Sequence, residues 1–414
     1  MRIGAGLRVC LVTTGQPSTN PRAVKEADAL AEAGCSVWMI GAHWADWASD
    51  ADRRLLASRR WACTVIEWRR AAAPGLFWKS RLRHRAARAG VNLPVLRDIA
   101  LPAAAGRLTP ELTAHAMRTP ADLFIAHNIG ALPAAAAAAA RHRARLGFDA
   151  EDFHSGEFAP GDRSSARVAI ERTESRYIPR CDYVTAAAPG IADAYASLSR
   201  NGPPTCVLNV FPLSSRPSVR RPTAGQGPLT LSWFSQTIGP NRGLEDVVRA
   251  MARIEDGVVE LHLRGTWQAG YREQLTRVAA GAGLRHSRVI SHDPGYPDDM
   301  VRLAAEFDVG LAVEPGVTPN SNLSLSNKVF TYLLAGVAVL ATRTRGQVAL
   351  LPLIERAAQG FEAGDVDAIE RGLRCWIDDR AALEAARVAA WEYGGARYNW
   401  DCEKAVFLDV VARL

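Results

Sequence analysis

The sequence predicts an α/β protein made of two doubly wound halves, and three observations lead to that prediction. The chain has 414 residues, which exceeds the length of about 250–300 residues at which a single hydrophobic core stops growing. Nearly continuous apolar runs alternate with amphipathic helical segments, as in parallel sheets covered on both faces. The alternation stops in a segment rich in Pro, Ser, Gly and Arg, which is typical of a linker, and then restarts.

The first half begins with a strand, LRVCLVT, and a helix in which Asn20 is the N-cap, Pro21 the first residue and Gly34 the end. Further predicted strands are CSVWMIGA, DLFIAH, LGFDAE and CDYVTAAA. The Ala-rich run LPAAAAAAARHRARLG is predicted to be a helix bounded by Pro133 and Gly147. These elements define a predicted N-terminal domain, residues 1–212.

A linker is predicted over residues 213–228, followed by a C-terminal domain over residues 229–390. Its predicted strands are LTLSWFS, VELHLRG, RVISHD, DVGLAVE and VAVLATR. Residues 391–414 are predicted to form helices that pack back across the domain junction. Ligands of doubly wound sheets bind beyond the carboxyl ends of the strands, so we expect the ligand site in a central cleft that both halves face.

Composition excludes several classes of protein. Apolar residues make up 48% and charged residues 22% of the chain, which argues against disorder. The seven cysteines include no CxxC pair, so neither a zinc site nor a disulfide framework is predicted. The sequence contains no apolar run of 18 residues and does not open with a signal peptide, so we expect a cytoplasmic protein.

One loop of the second half, FSQTIGPNRGLEDV, is predicted to leave a strand and enter a helix. Gly239 and Gly243 flank Arg242 there, and free backbone amides, a fixed positive charge and a helix N-terminus together form a phosphate cradle. The alternative is a plain turn with a solvated arginine, and this stretch alone does not decide between them.

A second loop, EPGVTPNSNLSLSNK, leads from a strand end at Glu314 into the helix SNKVFTYLLAG. Its serines and asparagines could donate hydrogen bonds to a phosphate or cap the helix. Lys328 and Thr331 are predicted to share one helix face, opposite Phe330 and Leu334. The alternative is that Ser326 is only an N-cap and Lys328 only a surface charge.

Polar residues also follow the strands of the first half. His127 and Asn128 follow DLFIA, so the histidine is expected to project into the cleft; the alternative is a core or capping histidine. Glu151, Asp152 and His154 follow another strand and could bind acceptor hydroxyl groups or cap the next helix.

The net charge of +7 includes many arginines between residues 53 and 97, interleaved with Trp61, Trp68, Phe77 and Trp78. This mixture favours an amphipathic surface that rests on anionic lipid on the inner face of the cell membrane. The alternative is a solvated helix pair whose aromatic residues lie in the core. No nucleic-acid-binding motif accompanies the charge.

These motifs, in this order, resemble the glycosyltransferases of the GT-B fold, and most of all glycosyltransferase family 4 (group 1). The resemblance covers nearly the whole chain. It rests on the stretches NPRAVKEADALAEAGCSVWMIG, AHNIGALPAA, FDAEDFHSGE, FSQTIGPNRGLEDVVRAM and SNKVFTYLLAGVAVLAT.

The resemblance implies transfer of a sugar, such as a hexose, from a nucleotide-sugar donor to a glycan, lipid-linked or small-molecule acceptor, as in polysaccharide biosynthesis. It also implies retention of anomeric configuration without a metal or cofactor. Arg242 and Lys328 would neutralise the leaving diphosphate, and His127 would position the sugar. The implied catalytic residues are His127, Glu151 and Asp152; the implied acceptor-side residues are Asn128 and His154; the implied donor-binding residues are Gly15, Gln236, Arg242, Gly243, Glu314, Ser326, Asn327, Lys328 and Thr331.

The sequence departs from the family at one important point. The paired glutamates of the family fall at Leu323 and Thr331, and the second commonly holds the nucleotide ribose. Glu314 is a possible substitute. Two alternatives therefore accompany the transferase prediction, namely a nucleotide-sugar epimerase of the same architecture and a non-catalytic binding partner.

Overall fold

The structure is a computed structural model that describes residues 6–223, 227–284 and 288–414. Its contacts divide the chain into two compact units. Unit 1 comprises the described residues up to Val207 together with Thr318–Asn320 and Lys404–Leu414, and unit 2 comprises Leu208–Val317 and Ser321–Glu403. Each unit contains one parallel sheet with helices, which confirms the predicted pair of doubly wound halves.

The sheet of unit 1 has seven strands in the order β3-β2-β1-β4-β5-β6-β7, and all of its strand pairs are parallel. The strands are β1 Arg8–Thr13, β2 Ser36–His43, β3 Ala62–Glu67, β4 Leu123–His127, β5 Arg145–Ala150, β6 Tyr183–Ala186 and β7 Thr205–Cys206. Their central members are almost wholly buried because both faces are covered.

The α-helices that connect the strands of unit 1 among the described residues are α1 Pro21–Glu32, α2 Ser49–Ala57, α3 Pro74–Gly90, α4 Arg97–Ala105, α5 Thr109–Ala116, α6 Leu132–His142, α7 Ser165–Tyr177 and α8 Pro189–Tyr195. Helix α6 is the Ala-rich segment, but the predicted boundary at Gly147 is wrong. The helix ends at His142, and the C-cap residue Arg143 adopts a left-handed conformation with φ of 52°. Gly147 lies within β5, where a Cβ atom would fall 2.3 Å from the ring of Tyr183.

The sheet of unit 2 has six strands in the order β10-β9-β8-β11-β12-β13. The strands are β8 Leu229–Ile238, β9 Val259–Trp267, β10 Val289–His292, β11 Val309–Ala312, β12 Ala338–Thr342 and β13 Ala358–Phe361. Strand β8 continues past the predicted segment LTLSWFS, because pairing with β9 resumes at Thr237 after a register shift that begins at Phe234. Gln236 therefore lies in a strand and not in the predicted loop.

The helices after β8 are α9 Leu244–Met251, α10 Tyr271–Gly281, α11 Met300–Ala304, α12 Pro319–Leu323, α13 Asn327–Ala335, α14 Arg345–Leu350, α15 Val366–Asp378, α16 Arg380–Ala396 and α17 Trp400–Ala412. Helix α13 is buried on every side from Lys328 onward, so Lys328 and Thr331 are buried like Phe330 and Leu334. Tyr332 packs flat on Gly310 of β11, where a Cβ atom would lie 2.1 Å from the ring.

The predicted linker, residues 213–228, begins with a single 3-10 turn over Leu213–Ser215. Residues 224–226 of this linker lie outside the described residues. Within the described ranges, no helix combines the length and the apolar character needed to cross a membrane.

Candidate active site

Strand register in unit 1 places four polar residues side by side across the sheet. Thr13 pairs with His127, His127 with Asp149, and Asp149 with Thr185. Neighbouring residues in register point to the same face of a sheet. All four side chains are buried, so the structure encloses a polar row near the carboxyl ends of β1, β4, β5 and β6.

Helix α1 adds two charged side chains to this row, because Arg22 and Glu26 lie one turn apart on the helix. The Arg22 guanidinium donates to both oxygens of Asp149, from Nε at 2.6 Å and from Nη2 at 2.7 Å. Its Nη1 donates to the carbonyl oxygen of Val207 at 2.7 Å. Burial favours the protonated carboxyl, but Arg22 and His127 outweigh it and hold the pKa of Asp149 far below its usual value.

The imidazole of His127 lies between two carboxylates and is 1% exposed. Its Nδ1 is 3.3 Å from Oδ2 of Asp149, and its Nε2 is 3.1 Å from Oε2 of Glu26. The second contact is close but lacks hydrogen-bond geometry. The structure thus encloses the ring within unit 1, instead of projecting it toward a ligand as expected. Its role as a sugar-positioning or catalytic group stays a prediction.

Electrostatics favour a charged His127. Burial opposes the imidazolium, but Glu26 and Asp149 outweigh burial and raise the pKa of His127 to about 10. Burial and the nearby Asp149 raise the pKa of Glu26. The side chains of this row therefore titrate together, and a change in the protonation of one of them changes the pKa of the others.

Glu26, His127 and Asp149 are also the group of side chains that could offer metal ligands within the described ranges, with ligand atoms within 4.8 Å of one another. The Arg22 guanidinium occupies both oxygens of Asp149. A cation at this position would have to displace the guanidinium and compete with a protonated imidazole. This arrangement is better suited to internal ion pairing than to metal binding.

The loop after β5 carries the predicted acidic residues. Burial and the neighbouring Asp152 raise the pKa of Glu151, and Asp152 Oδ1 accepts a hydrogen bond of 2.8 Å from Asn320. Nδ1 of His154 lies 2.8 Å from Oε1 of Glu157. The alternative that these residues cap the next helix is wrong, because Ser164 caps α7.

Asn128 and Gly15 lie at the ends of β4 and β1. Asn128 has a left-handed backbone with φ of 70°, and its Oδ1 accepts hydrogen bonds from the hydroxyl groups of Thr13 and Thr14, both at 3.3 Å. The carbonyl oxygen of Gly15 lies so near Gly41 that a Cβ atom there would be 2.5 Å away. Both predicted residues therefore help to shape the loops beside the polar row.

The second group of charges lies in unit 2. Glu314 follows β11, and its carboxylate pairs with Nζ of Lys328 in α13. The Lys328 side chain is 9% exposed, so the alternative of a surface charge is wrong. Its Nζ also lies 5.2 Å from the ring centroid of Trp233. Burial opposes ionisation of Glu314, but Lys328 outweighs it and lowers the pKa of that carboxyl.

The loop with Arg242 packs against the end of the same strand. Gly243 has φ of 75°, and a Cβ atom there would lie 2.0 Å from the carbonyl oxygen of Val313, so only glycine fits. Arg242 is half-exposed and close enough to help lower the pKa of Glu314. It makes no hydrogen bond to other residues in the part of the chain that the structure describes. The structure therefore brings Arg242, Glu314 and Lys328 together.

Four other predicted donor-binding residues lie in different surroundings. Ser326 has the extended backbone of an N-cap, but its side chain makes no capping hydrogen bond. Asn327 and Gln236 are exposed. Thr331 is fully buried, and its hydroxyl donates to the carbonyl oxygen of Asn327 at 3.0 Å. In this conformation the Thr331 hydroxyl is engaged within α13.

Sequence reasoning missed Arg22, Glu26 and Asp149. Two signals were available. Asp149 interrupts the apolar strand LGFDA, and Arg22 and Glu26 have the i, i+4 spacing that places them on one helix face. A charged residue inside a buried strand needs a partner, and α1 provides it.

The aromatic residues between residues 53 and 97 do not form one surface. Trp61 is buried, and its indole N–H donates to Asp28 at 2.7 Å. Trp68 and Phe77 each lie about 4.5 Å from the guanidinium of Arg107. Trp78 alone of the four is exposed. It lies on α3 near exposed Leu82 and basic residues, so the amphipathic surface is smaller than predicted.

Comparisons with known proteins establish the fold. Neither a protein-family model nor a curated protein matches the chain. Among solved structures, HepE from Anabaena in complex with UDP and glucose is 16% identical, with 99% of this chain and 100% of that chain covered and a TM-score of 0.70. For the complex of HepE with UDP-glucose the TM-score is 0.68.

Two further structures agree. Sucrose-phosphate synthase from Thermosynechococcus elongatus is 14% identical over 97% of both chains, with a TM-score of 0.69. A TarM variant from S. aureus in complex with UDP is 8% identical over 98% of this chain and 99% of that chain, also with a TM-score of 0.69. The chain therefore has the GT-B fold.

Proposed function

We propose that the protein is a glycosyltransferase that moves a sugar from a nucleotide-sugar donor to a glycan, lipid-linked or small-molecule acceptor. The observation that carries the proposal is the group of Arg242, Glu314 and Lys328 at strand ends of unit 2. Strand ends are the usual ligand position in doubly wound sheets. Structural neighbours solved with UDP and UDP-glucose support a nucleotide-sugar as the donor.

The charges of this group suit a diphosphate. Lys328 and Arg242 outnumber the single carboxylate of Glu314, which leaves a net positive charge. Glu314 fixes the position of Lys328 Nζ, while half-exposed Arg242 remains available to a ligand. Charge-assisted hydrogen bonds from such groups to phosphate oxygens are among the strongest in proteins. The backbone amides at the start of α13, near Ser326 and Asn327, would add further donors.

The same two cations would stabilise the leaving nucleoside diphosphate without a metal ion. In unit 1, His127 keeps the sugar-positioning role that the resemblance implies, and its enclosed ring would act through the neighbouring loops and not by direct contact. We also propose that the enzyme transfers a hexose with retention of anomeric configuration and belongs to family 4. These three points rest on the resemblance of the motifs. Glu151 and Asp152 are the proposed catalytic carboxyl groups, and Asn128 and His154 are the proposed acceptor-side residues.

The test is a ligand screen followed by product analysis. Thermal shift and calorimetry with UDP, GDP, ADP and dTDP should identify one nucleotide that binds saturably, with EDTA present to remove metals. The matching sugar nucleotide should then yield free diphosphate only when an acceptor is present. Conversion to an epimeric sugar nucleotide without an acceptor would identify the epimerase, and no binding of any nucleotide would refute both enzymes.

A second candidate function is supported by Thr331. Its hydroxyl is bonded within α13, and threonine lacks the charge of the family glutamate, which favours a non-catalytic binding partner. That candidate predicts nucleotide binding without turnover on any acceptor. Restored turnover in a Thr331→Glu variant would support it, whereas wild-type turnover would rule it out.

We further propose that unit 1 contacts anionic membranes through the exposed apolar residues between 71 and 99, which include Trp78, Leu82 and Val95. Basic residues interleave with them, as expected of an interfacial surface. The protein should float with vesicles of anionic lipid at physiological salt, and a Trp78→Ser, Leu82→Ser variant should not. Leu353→Ser, which changes an exposed leucine of unit 2, is the matched control. Equal flotation of all three would contradict the proposal.

A further inference from the structure

Unit 1 contains a groove of about 710 Å³ that the polar row and the ion pairs described above do not use. Helices α3 to α7 line it, mostly with alanine and proline side chains. Its volume lies in the range of about 300–1,000 Å³ that small-molecule sites occupy. The groove lies within unit 1 and can be considered without reference to unit 2.

The Ala-rich sequence of α6 accounts for one wall of the groove. Pro133, Ala136, Ala137 and Ala140 line it, and their spacing of three to four residues places them on one helix face. Their side chains are too short to fill the space between the helices. Pro133 lies in the first turn of α6, six residues after His127, so this wall begins close to the carboxyl end of β4.

The charges along the groove are all positive. Arg83 and Arg180 are its charged lining residues, and no carboxylate lines it. Arg83 is paired with Glu111. The exposed guanidinium of Arg180 lies 5.4 Å from the ring centroid of Tyr177 and forms no ion pair within the described ranges. An occupant would therefore meet an apolar wall and one available cation.

The groove is continuous with exposed apolar surface. Ile99 is a lining residue and is 82% exposed, and Leu82, adjacent to Arg83 in α3, is 72% exposed. Such exposed apolar side chains at the rim of a groove indicate an interaction site. The lining offers few hydrogen-bond partners for an extended peptide backbone, which would need them, whereas a hydrocarbon chain needs none.

From these features we infer that the groove binds the hydrocarbon chain of a single anionic lipid whose head group contacts Arg180. The chain would lie along α6 and the head group at the rim. If this lipid is the lipid part of the acceptor, the protein is an enzyme that glycosylates lipids. Only this assignment of the lipid as acceptor rests on the proposed function.

Binding of monododecyl phosphate, below its critical micelle concentration, tests the inference by calorimetry. One molecule should bind per chain, and excess UDP should not displace it. Dodecyl maltoside, with the same chain and a neutral head group, should bind about tenfold more weakly, because it lacks the charged hydrogen bond to Arg180. Inorganic phosphate should not compete at the same concentrations.

Ala137→Phe fills the groove and should weaken binding of monododecyl phosphate by at least about tenfold, because several methylene groups lose their contacts. Ala114→Phe is the matched control, since Ala114 is exposed on α5 and does not line the groove. Arg180→Gln should bring monododecyl phosphate to the affinity of dodecyl maltoside. Ala140→Phe, at the exposed end of the wall, repeats the test if Ala137→Phe melts earlier than wild type.

Wild-type affinity in both groove-filling variants would overturn the inference. So would a wild-type dimer in light scattering that Ala137→Phe converts to a monomer, since a second copy would then cover the groove. Nucleotide binding is measured on the same samples. Binding of the lipid without binding of any nucleotide would support the lipid groove and refute the proposed function. Binding of a nucleotide without binding of the lipid would refute only the lipid groove.

Discussion

Each unit buries an ion pair near the carboxyl ends of its strands, but the two pairs differ in enclosure. In unit 1 the side chains of Arg22 and Asp149 are both 0% exposed, and the side chains of His127 and Glu26 beside them are also buried. In unit 2 the Glu314 side chain is 15% exposed. One oxygen of Glu314 has no hydrogen-bond partner among the described residues, and Arg242 adds a second positive charge.

This difference indicates different tasks. Buried charges need partners, and in unit 1 Arg22 and Asp149 satisfy each other with two hydrogen bonds, so this pair fixes α1 against β5. In unit 2 the positive charges exceed the negative ones, so an added anion would complete the group. We therefore expect substitutions in unit 1 to change stability most, and substitutions in unit 2 to change nucleotide affinity most.

The largest expected effect is in unit 1. Asp149→Ala should lower the free energy of unfolding by about 3–5 kcal/mol, because it leaves Arg22 buried without its carboxylate. Asp122→Ala is the matched control, since it removes an exposed Arg8–Asp122 pair from the same sheet and should cost less than about 1 kcal/mol. Denaturant titration measures both, and equal losses would remove the distinction between enclosed and open pairs.

The next effect is in unit 2. Arg242→Gln should weaken binding of the preferred nucleotide by about 10- to 100-fold, the equivalent of one charge-assisted hydrogen bond. Its melting temperature should match wild type, because Arg242 makes no hydrogen bond among the described residues. Arg249→Gln, two turns along α9 and paired with Asp246, should bind like wild type. Unchanged nucleotide affinity in Arg242→Gln would show that the diphosphate does not bind at Arg242.

A smaller effect concerns pH. The pKa of His127 is raised to about 10, so this group stabilises the folded state fully below pH 6.5, and its contribution is lost as pH rises through 10. Burial and Arg22 lower the pKa of Lys25 to about 7, which acts in the opposite direction. We therefore expect the destabilisation caused by His127→Gln, measured against wild type, to shrink as pH rises from 7 to 10 and the imidazolium loses its proton. A constant difference would show that His127 is neutral.

The smallest effect concerns Thr331. Thr331→Val removes the hydroxyl that donates to Asn327 and should change stability by less than about 1 kcal/mol, because the helix carbonyl keeps other partners. Nucleotide affinity should change by less than about twofold. A tenfold loss in calorimetry would mean that the hydroxyl turns toward the ligand, and would place Thr331 in the donor site.

The fold could be predicted from the sequence because its strands are runs of apolar residues long enough to recognise. VCLV, LFIA and VAVLAT are each buried in a sheet. Strands β3, β7 and β13 were missed, since ACTVIE, TC and AQGF are short or partly polar. The predicted boundaries at Gly147 and at the end of LTLSWFS failed, because distant partners, the Tyr183 ring and strand β9, decide them.

The site could be predicted only in part. Loop residues such as Arg242 and Gly243 have local signals in glycine and charge. Glu314 and Lys328 were each identified as site residues. Their ion pair was not predicted, because it joins two separate elements. Arg22 and Asp149 are more than 120 residues apart in sequence, and only strand register brings α1 and β5 together. Such contacts carry no local pattern.

The composition of unit 1 has a consequence for synthesis of the protein. Lys404–Leu414 belongs to unit 1, Lys404 forms an ion pair with Glu32, and Phe407 and Val411 are buried. The ribosome makes this segment only after residues 208–403. Until then, the part of unit 1 that has already been synthesised exposes the surface that this segment later covers. Chaperone demand during translation should therefore be greatest between the completion of β7 and the emergence of α17.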